Sequence, residues 1–195
     1  PITIRIFART SIMTSFPDGV RYHAINSLNR RKIEIIEHCA VTRVEPGKIE
    51  IDSRQSYGLD VIFIAVGVRP SAVFRNSGMA VGPEGGLLVN RYLQSVEHPN
   101  IFGGGDCIYF QDKPLDKVGV YAVRENPVLL HNLQAALEGR PLRSFDPGGD
   151  YLLIFNLGDG TGIFRKKWLL FDGRPAFLLK DYIDRRFMNR FQALE

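Results

Sequence analysis

The chain lacks both glycine signatures by which nucleotide-binding proteins are usually read. Neither GxGxxG nor GxxxxGK followed by Ser or Thr occurs in its 195 residues. It is poor in cysteine: Cys39 and Cys107 stand far apart and form no CxxC, which excludes a disulfide framework and a cysteine-rich metal site. Four histidines (His23, His38, His98, His131) show neither HxxxH nor HExxH spacing, so nothing points to a metal. No apolar run approaches the roughly 18 residues of a membrane span, and no leader pattern is present. Charge of one sign is also scarce, at 25 basic against 21 acidic residues and a formal net of +4. Lys and Arg are mostly scattered, the C-terminal fifth excepted, which argues against a nucleic-acid binder with its concentrated basic face. A cytoplasmic protein is expected. The abrupt ends, Pro1-Ile-Thr-Ile inside a strand pattern and Ala193-Leu194-Glu195, suggest an excised piece of a longer protein.

What is present reads as an α/β chain. Ile2 to Ala8 alternates apolar and polar as a strand does. Phe16-Pro17-Asp18 opens a helix carrying Val20, Ala24, Ile25 and Leu28 on one face, with Arg30 in its last turn. Ile33 to Glu37 is a short strand, and residues 41–52 form a hairpin about Pro46-Gly47. Leu59 to Val66 is nearly continuous apolar and β-branched, which predicts a strand buried on both faces of a parallel sheet. A looser stretch follows, then a short strand at 85–90. The longest helix runs from Val118 or Tyr121 to Leu137, its apolar face predicted as Val123, Val128, Leu129, Leu133, Ala136 and Leu137. Pro127 within it breaks a backbone bond unless it sits in the first turn or at a kink, and Gly139 ends it. Residues 140–149 read as a linker. Three short strands with a turn at Asp172-Gly173 predict a small antiparallel sheet, before a last helix over about 176–191.

One stretch organises the rest: Asn100-Ile-Phe-Gly-Gly-Gly-Asp-Cys107. Three glycines let something pack directly on the main chain, and Asp106 offers a carboxylate where α/β proteins collect ligands. A tight turn capped by Asp106 accounts for the same residues. Together with Asp60-Val-Ile-Phe-Ile-Ala-Val-Gly-Val-Arg-Pro70, some thirty residues earlier, it resembles the second half of the flavin-dependent pyridine nucleotide–disulfide oxidoreductase superfamily. The nearest subgroup is the type II NADH dehydrogenases. Gly119 to Leu129 and Lys180 to Met188 are also similar to the flavoprotein module fused to some selenide,water dikinases.

The resemblance implies a partial doubly wound, three-layer FAD/NAD(P)-binding fold, followed by a small antiparallel sheet and a C-terminal helix. Residues 1–70 become the second half of the NAD(P)-binding domain, 71–145 the C-terminal part of the FAD-binding domain, and 146–195 the sheet and amphipathic helix. Both glycine fingerprints then lie upstream of Pro1. The implied cofactors are FAD and NAD(P)H: hydride passes from nicotinamide to flavin, then electrons to a quinone or other acceptor. The fragment alone is expected to be inactive, without FAD and self-associated, its natural partner being the upstream half of the same protein. No catalytic acid or base is assigned.

By the same resemblance, Asp106 accepts hydrogen bonds from flavin ribityl hydroxyls, a role that suits an acceptor-only carboxylate. Gly104 and Gly105 let the backbone approach. Gly119, Val120 and Tyr121 aim helix N–H groups at the anionic ring, and Gly67 lets the chain pass the cofactors. Arg69 reads as a loop charge and Cys107 as a small filler. Relatives that use NADH end the strand equivalent to residues 3–7 with an acid that binds ribose. Here stand Ala8 and Arg9. That departure favours a phosphate-bearing nucleotide or a module without dehydrogenase activity. In the last helix Phe177, Leu178, Tyr182, Ile183, Phe187 and Phe191 oppose Lys180, Arg185, Arg186 and Arg190. This stripe suits either a peripheral membrane contact or docking on the small sheet with the charges solvated.

Overall fold

The computed structural model describes residues 2–52 and 54–192, with side chains as far as residue 189. Pro1, Ala193-Leu194-Glu195 and the side chains of Arg190 and Phe191 lie outside the described residues. The chain divides into two compact units, one drawn from residues 1–63 and 150–195, the other from 64–149.

The first unit opens with β1 (Arg5–Phe7), α1 (Asp18–Arg30) and β2 (Glu34–Ile36), and β1 and β2 pair in parallel. The helix follows from its apolar spacing: Val20 and Ala24 are buried on one face. Asp18 and Arg30 sit at the ends their charges favour. β3 (Val41–Glu45) and β4 (Lys48–Ile51) close over Pro46-Gly47, with Gly47 at φ +75°, the left-handed position that glycine fills in a type II turn. A third strand, β5 (Ser56–Gly58), extends this sheet.

Residues 59–66 depart from expectation. They belong to no strand, and Val61, Phe63 and Val66 are 68, 91 and 88% exposed. A doubly buried strand needs hydrogen-bonded neighbours and a layer on each face. None of the described strands pairs with this stretch.

The second unit holds α2 (Val73–Asn76), β6 (Leu87–Val89), β7 (Ile108–Phe110) and α3 (Gly119–Glu138). β6 and β7 pair in parallel, Leu87 with Ile108 and Val89 with Phe110. Their side chains form a core with Leu93, Val128 and Phe145. Each such burial stabilises by about 1.5–3 kcal/mol. Phe145 lies in the stretch expected to be a linker, yet it is buried edge-on against Phe110, ring centroids 5.4 Å apart. Composition marks 140–149 as irregular, and irregular backbone here returns over the core.

α3 is continuous through Pro127. The missing N–H falls on the exposed side of the helix, where water can take the freed carbonyl. Gly139 closes α3 in the left-handed conformation at φ +66°. The buried face is only partly the predicted one: Val128 is buried and Leu129 packs against the core as expected. Glu125, Val128, Asn132 and Ala135 face inward, while Val123, Leu133 and Leu137 are exposed. Two polar residues sit inside because loops bring them partners. Asn132 donates to the carbonyls of Tyr92 and Arg143, both at 2.8 Å, and accepts the Arg143 N–H at 2.7 Å.

The chain then completes the first unit with β8 (Leu153–Asn156), β9 (Gly162–Lys166), β10 (Leu169–Gly173) and α4 (Arg174–Gln192). The three strands are antiparallel in the order β10-β9-β8. The turn joining β9 to β10 lies at Lys167-Trp168, with Lys167 at φ +54°, and not at Asp172-Gly173, which finish β10. Ladder pairing out to Gly162–Gly173 keeps those two residues in the sheet. α1 packs against this sheet through Val20, Ala24 and Ile163, with Phe16 edge-on to Phe155. The first turn of α4 is anchored by the fully buried Ala176, whereas Leu178, Tyr182, Phe187 and Met188 are exposed.

Candidate functional site

The glycine stretch is shaped by what packs on it. Phe102 forms an isolated bridge with Gln94, and the Gly103 N–H donates to the Leu93 carbonyl at 3.0 Å. Gly104 is extended, and a Cβ there would stand 3.2 Å from Leu129 Cδ2 and 3.3 Å from Glu125 Oε2. Side chains of α3 therefore press on this backbone, and a Cβ here would require Leu129 and Glu125 to give way. Gly105 then takes φ +71°, a conformation costly to any residue with a Cβ. It opens a single 3-10 turn, Gly105–Cys107, that leaves the Asp106 side chain exposed. The Cys107 thiol is turned inward and donates to the Gly104 carbonyl at 3.1 Å.

Beside this turn α3 begins. Val118 is its extended N-cap, no side chain caps the helix, and its first turn contains no acidic residue. The Tyr121 N–H donates to the Val118 carbonyl at 3.1 Å, while the Gly119 and Val120 N–H groups precede the first intrahelical bond, so this end is suited to an acceptor from a ligand. A pocket opens between the two features, lined by Gly105, Asp106, Tyr109, Lys117, Val118 and Tyr121, with Glu125 behind them.

The expected residues thus divide. Gly105, Asp106 and Tyr121 converge on the pocket. Gly104 stands behind the loop against Leu129 and Glu125. Gly119 and Val120 form the first turn of α3 without lining the pocket. Gly67, at φ +84°, is exposed and lines no part of it.

Sequence reasoning missed Glu125 and Lys117. Glu125 is 2% exposed, and its carboxylate accepts the Gly105 N–H. Burial pushes its pKa above the ordinary carboxylate value; the Gly105 N–H and the charge of Lys117 oppose that, and Asp106 adds to it. The Lys117 ammonium is anchored on the Ile108 carbonyl. The available signal was a polar residue in helical register with Val128, Asn132 and Ala135.

A second cluster stands at the carboxyl ends of β1 and β2, in the other unit. The Ala8 N–H extends the ladder to the Ile36 carbonyl at 2.9 Å, and Arg9 is exposed. Glu37 accepts the Ile12 N–H at 2.8 Å and lies 3.4 Å from the Arg21 guanidinium; the Ile12 N–H first, then Ser11 and Arg21, hold its pKa below the ordinary value against some desolvation. Ser11 Oγ and His38 Nε2 are 3.2 Å apart.

The family description "Pyridine nucleotide-disulphide oxidoreductase" matches residues 3–135. The chain belongs to that family. Its members bind FAD and NAD(P)H. Ferroptosis suppressor protein 1 of Xenopus laevis is 31% identical over 113 residues, covering 56% of this chain and 29% of that protein. The internal alternative NAD(P)H-ubiquinone oxidoreductase A1, mitochondrial, of Arabidopsis thaliana is 24% identical over 106 residues, covering 54% of this chain and 21% of that protein. The chain spans less than a third of the length of these relatives. Among solved structures, the sulfide:quinone oxidoreductase of Aquifex aeolicus superposes with a TM-score of 0.67 at 16% identity, over 95% of this chain and 49% of that one. An FAD-dependent pyridine nucleotide-disulphide oxidoreductase from Desulfovibrio vulgaris gives 0.66 at 21% identity, over 82% of this chain and 41% of that one. These likenesses carry the fold. They confirm the α/β FAD/NAD(P)-binding class expected from the sequence.

Proposed function

We propose that the chain is the C-terminal part of an FAD-dependent NAD(P)H oxidoreductase that reduces a quinone or another acceptor. The observation that carries this reading is the convergence of Gly105, Asp106 and the uncapped start of α3 on one pocket. The donor set fits a flavin. Asp106 is exposed and acceptor-only, suited to ribityl hydroxyls. Gly105 keeps the backbone bare at the pocket, and the positive end of α3 suits a ring that becomes anionic on reduction. When bound, FAD supplies the hydride-accepting ring, and the protein's part is to hold and polarise it. Residues 1–70 would then belong to the NAD(P)-binding domain, 71–145 to the FAD-binding domain and 146–195 to the C-terminal region. The quinone part rests on the names of the Arabidopsis and Aquifex relatives. Exposed Trp168, Leu178 and Tyr182, with Lys166, Lys167, Arg185 and Arg186, support a peripheral membrane contact. Among the described residues no helix is long and apolar enough to cross a membrane.

The decisive test uses the full-length protein reconstituted with FAD, followed by flavin absorbance on adding NADH or NADPH. Bleaching by either supports the dehydrogenase. No bleaching by both sinks it in favour of a second reading, a non-catalytic flavin or docking module serving an enzyme such as a selenide,water dikinase. Ala8-Arg9, where users of NADH carry an acid, is the observation favouring that alternative. If the dehydrogenase holds, the same residues favour NADPH.

A further inference from the structure

Glu125 is the one buried carboxyl of the second unit, and the flavin reading does not use it. It faces the back of the pocket from the second turn of α3, and its bond to the Gly105 N–H is made to the residue immediately before Asp106. Gly105 sits in the left-handed conformation from which the 3-10 turn starts, so whatever holds its amide also sets the direction of the Asp106 side chain. Charged and titratable groups face this region from every neighbouring element. Asp106 comes from the 3-10 turn, Tyr109 from β7, Asp116 and Lys117 from the segment before α3, and Tyr121 from α3 itself.

We propose that Glu125 is a positioning residue: through the Gly105 amide it sets the Asp106 carboxylate at the mouth of the pocket, and it does so more firmly when ionised. A hydrogen bond to a carboxylate is roughly twice as strong as one to a neutral carboxyl. Deprotonation of Glu125 therefore tightens its hold on Gly105, while the added negative charge beside Asp106 raises the value of a donor that approaches Asp106 from the pocket. Burial raises the pKa of Glu125 from the ordinary carboxylate value, so the change is displaced upward in pH. Only the consequence for cofactor binding rests on the flavin reading.

The test is the Gly105 amide in the 195-residue chain, observed by nitrogen–proton NMR across a pH series. In the wild type its proton resonance moves downfield in a titration displaced upward from the ordinary carboxylate value. In Glu125→Gln, which keeps an acceptor but cannot ionise, that titration disappears and the amide stays protected. In Glu125→Ala the amide exchanges about tenfold faster, the loss of one net hydrogen bond. A Gly105 amide that does not titrate in the wild type, or that titrates unchanged in Glu125→Gln, overturns the proposal; this comparison does not depend on Glu125→Ala folding. A separate measurement keeps the flavin reading distinct: FAD affinity of the full-length protein against pH. A wild-type profile that flattens in Glu125→Gln supports both readings. A titrating amide in a protein that binds no FAD at any pH upholds the positioning role and overturns the flavin reading.

Discussion

The Glu125 carboxylate and the Gly105 amide hold each other: the glycine's N–H satisfies a buried acid, and the acid fixes a backbone in the left-handed region. Their pairing joins the second turn of α3 to the loop that presents Asp106. Stability and ligand binding are therefore expected to share a dependence on this contact.

Stability of the second unit should fall as pH rises through the Glu125 pKa. The folded state raises that pKa above its unfolded value. The group's contribution is thus fully present below the unfolded pKa and is lost as pH climbs through the folded one. Urea unfolding at a series of pH values checks this, with Glu125→Gln expected to flatten the profile. A slope unchanged in that variant would remove Glu125 as its source.

Asp106→Ala should leave folding nearly unchanged, within about 0.5 kcal/mol, because the side chain is exposed. In the full-length protein the same change should weaken FAD binding by roughly one to two orders of magnitude, the value of charge-assisted hydrogen bonds of about 1.5–3 kcal/mol. Flavin fluorescence on titration with FAD reads the effect. Equal affinity in both proteins would place the ribityl contact elsewhere.

Asn132→Ala should cost about 2–4 kcal/mol, since it leaves the Arg143 N–H and the Tyr92 and Arg143 carbonyls without their partner. The segment that carries Phe145 should then loosen, so limited proteolysis between residues 140 and 149 should quicken along with the fall in thermal midpoint. A loss of stability without added cleavage there would show that the segment is held by Phe145 alone.

Trp168, the single tryptophan, is 88% exposed. Its emission should be that of solvated indole and be quenched freely by iodide. Anionic vesicles should shift it to the blue if the C-terminal surface meets a membrane. An unshifted spectrum would leave the exposed apolar residues of α4 as a solvated face.

Much of this protein was legible as local chemistry. α1 followed from its apolar spacing, the β3–β4 hairpin from Pro46-Gly47, and the end of α3 from Gly139, because each depends on residues a turn or less apart. The Gly-Gly-Gly-Asp loop was legible for the same reason. Tertiary structure decided the rest. Whether Leu59–Val66 becomes a strand depends on partners remote in sequence, and no described strand pairs with it. Which face of α3 turns inward also depended on the Gly105 amide and the Arg143 backbone, whose hydrogen bonds offset the cost of burying Glu125 and Asn132. Apolar periodicity counts carbon; it does not know where a distant loop will supply a hydrogen bond.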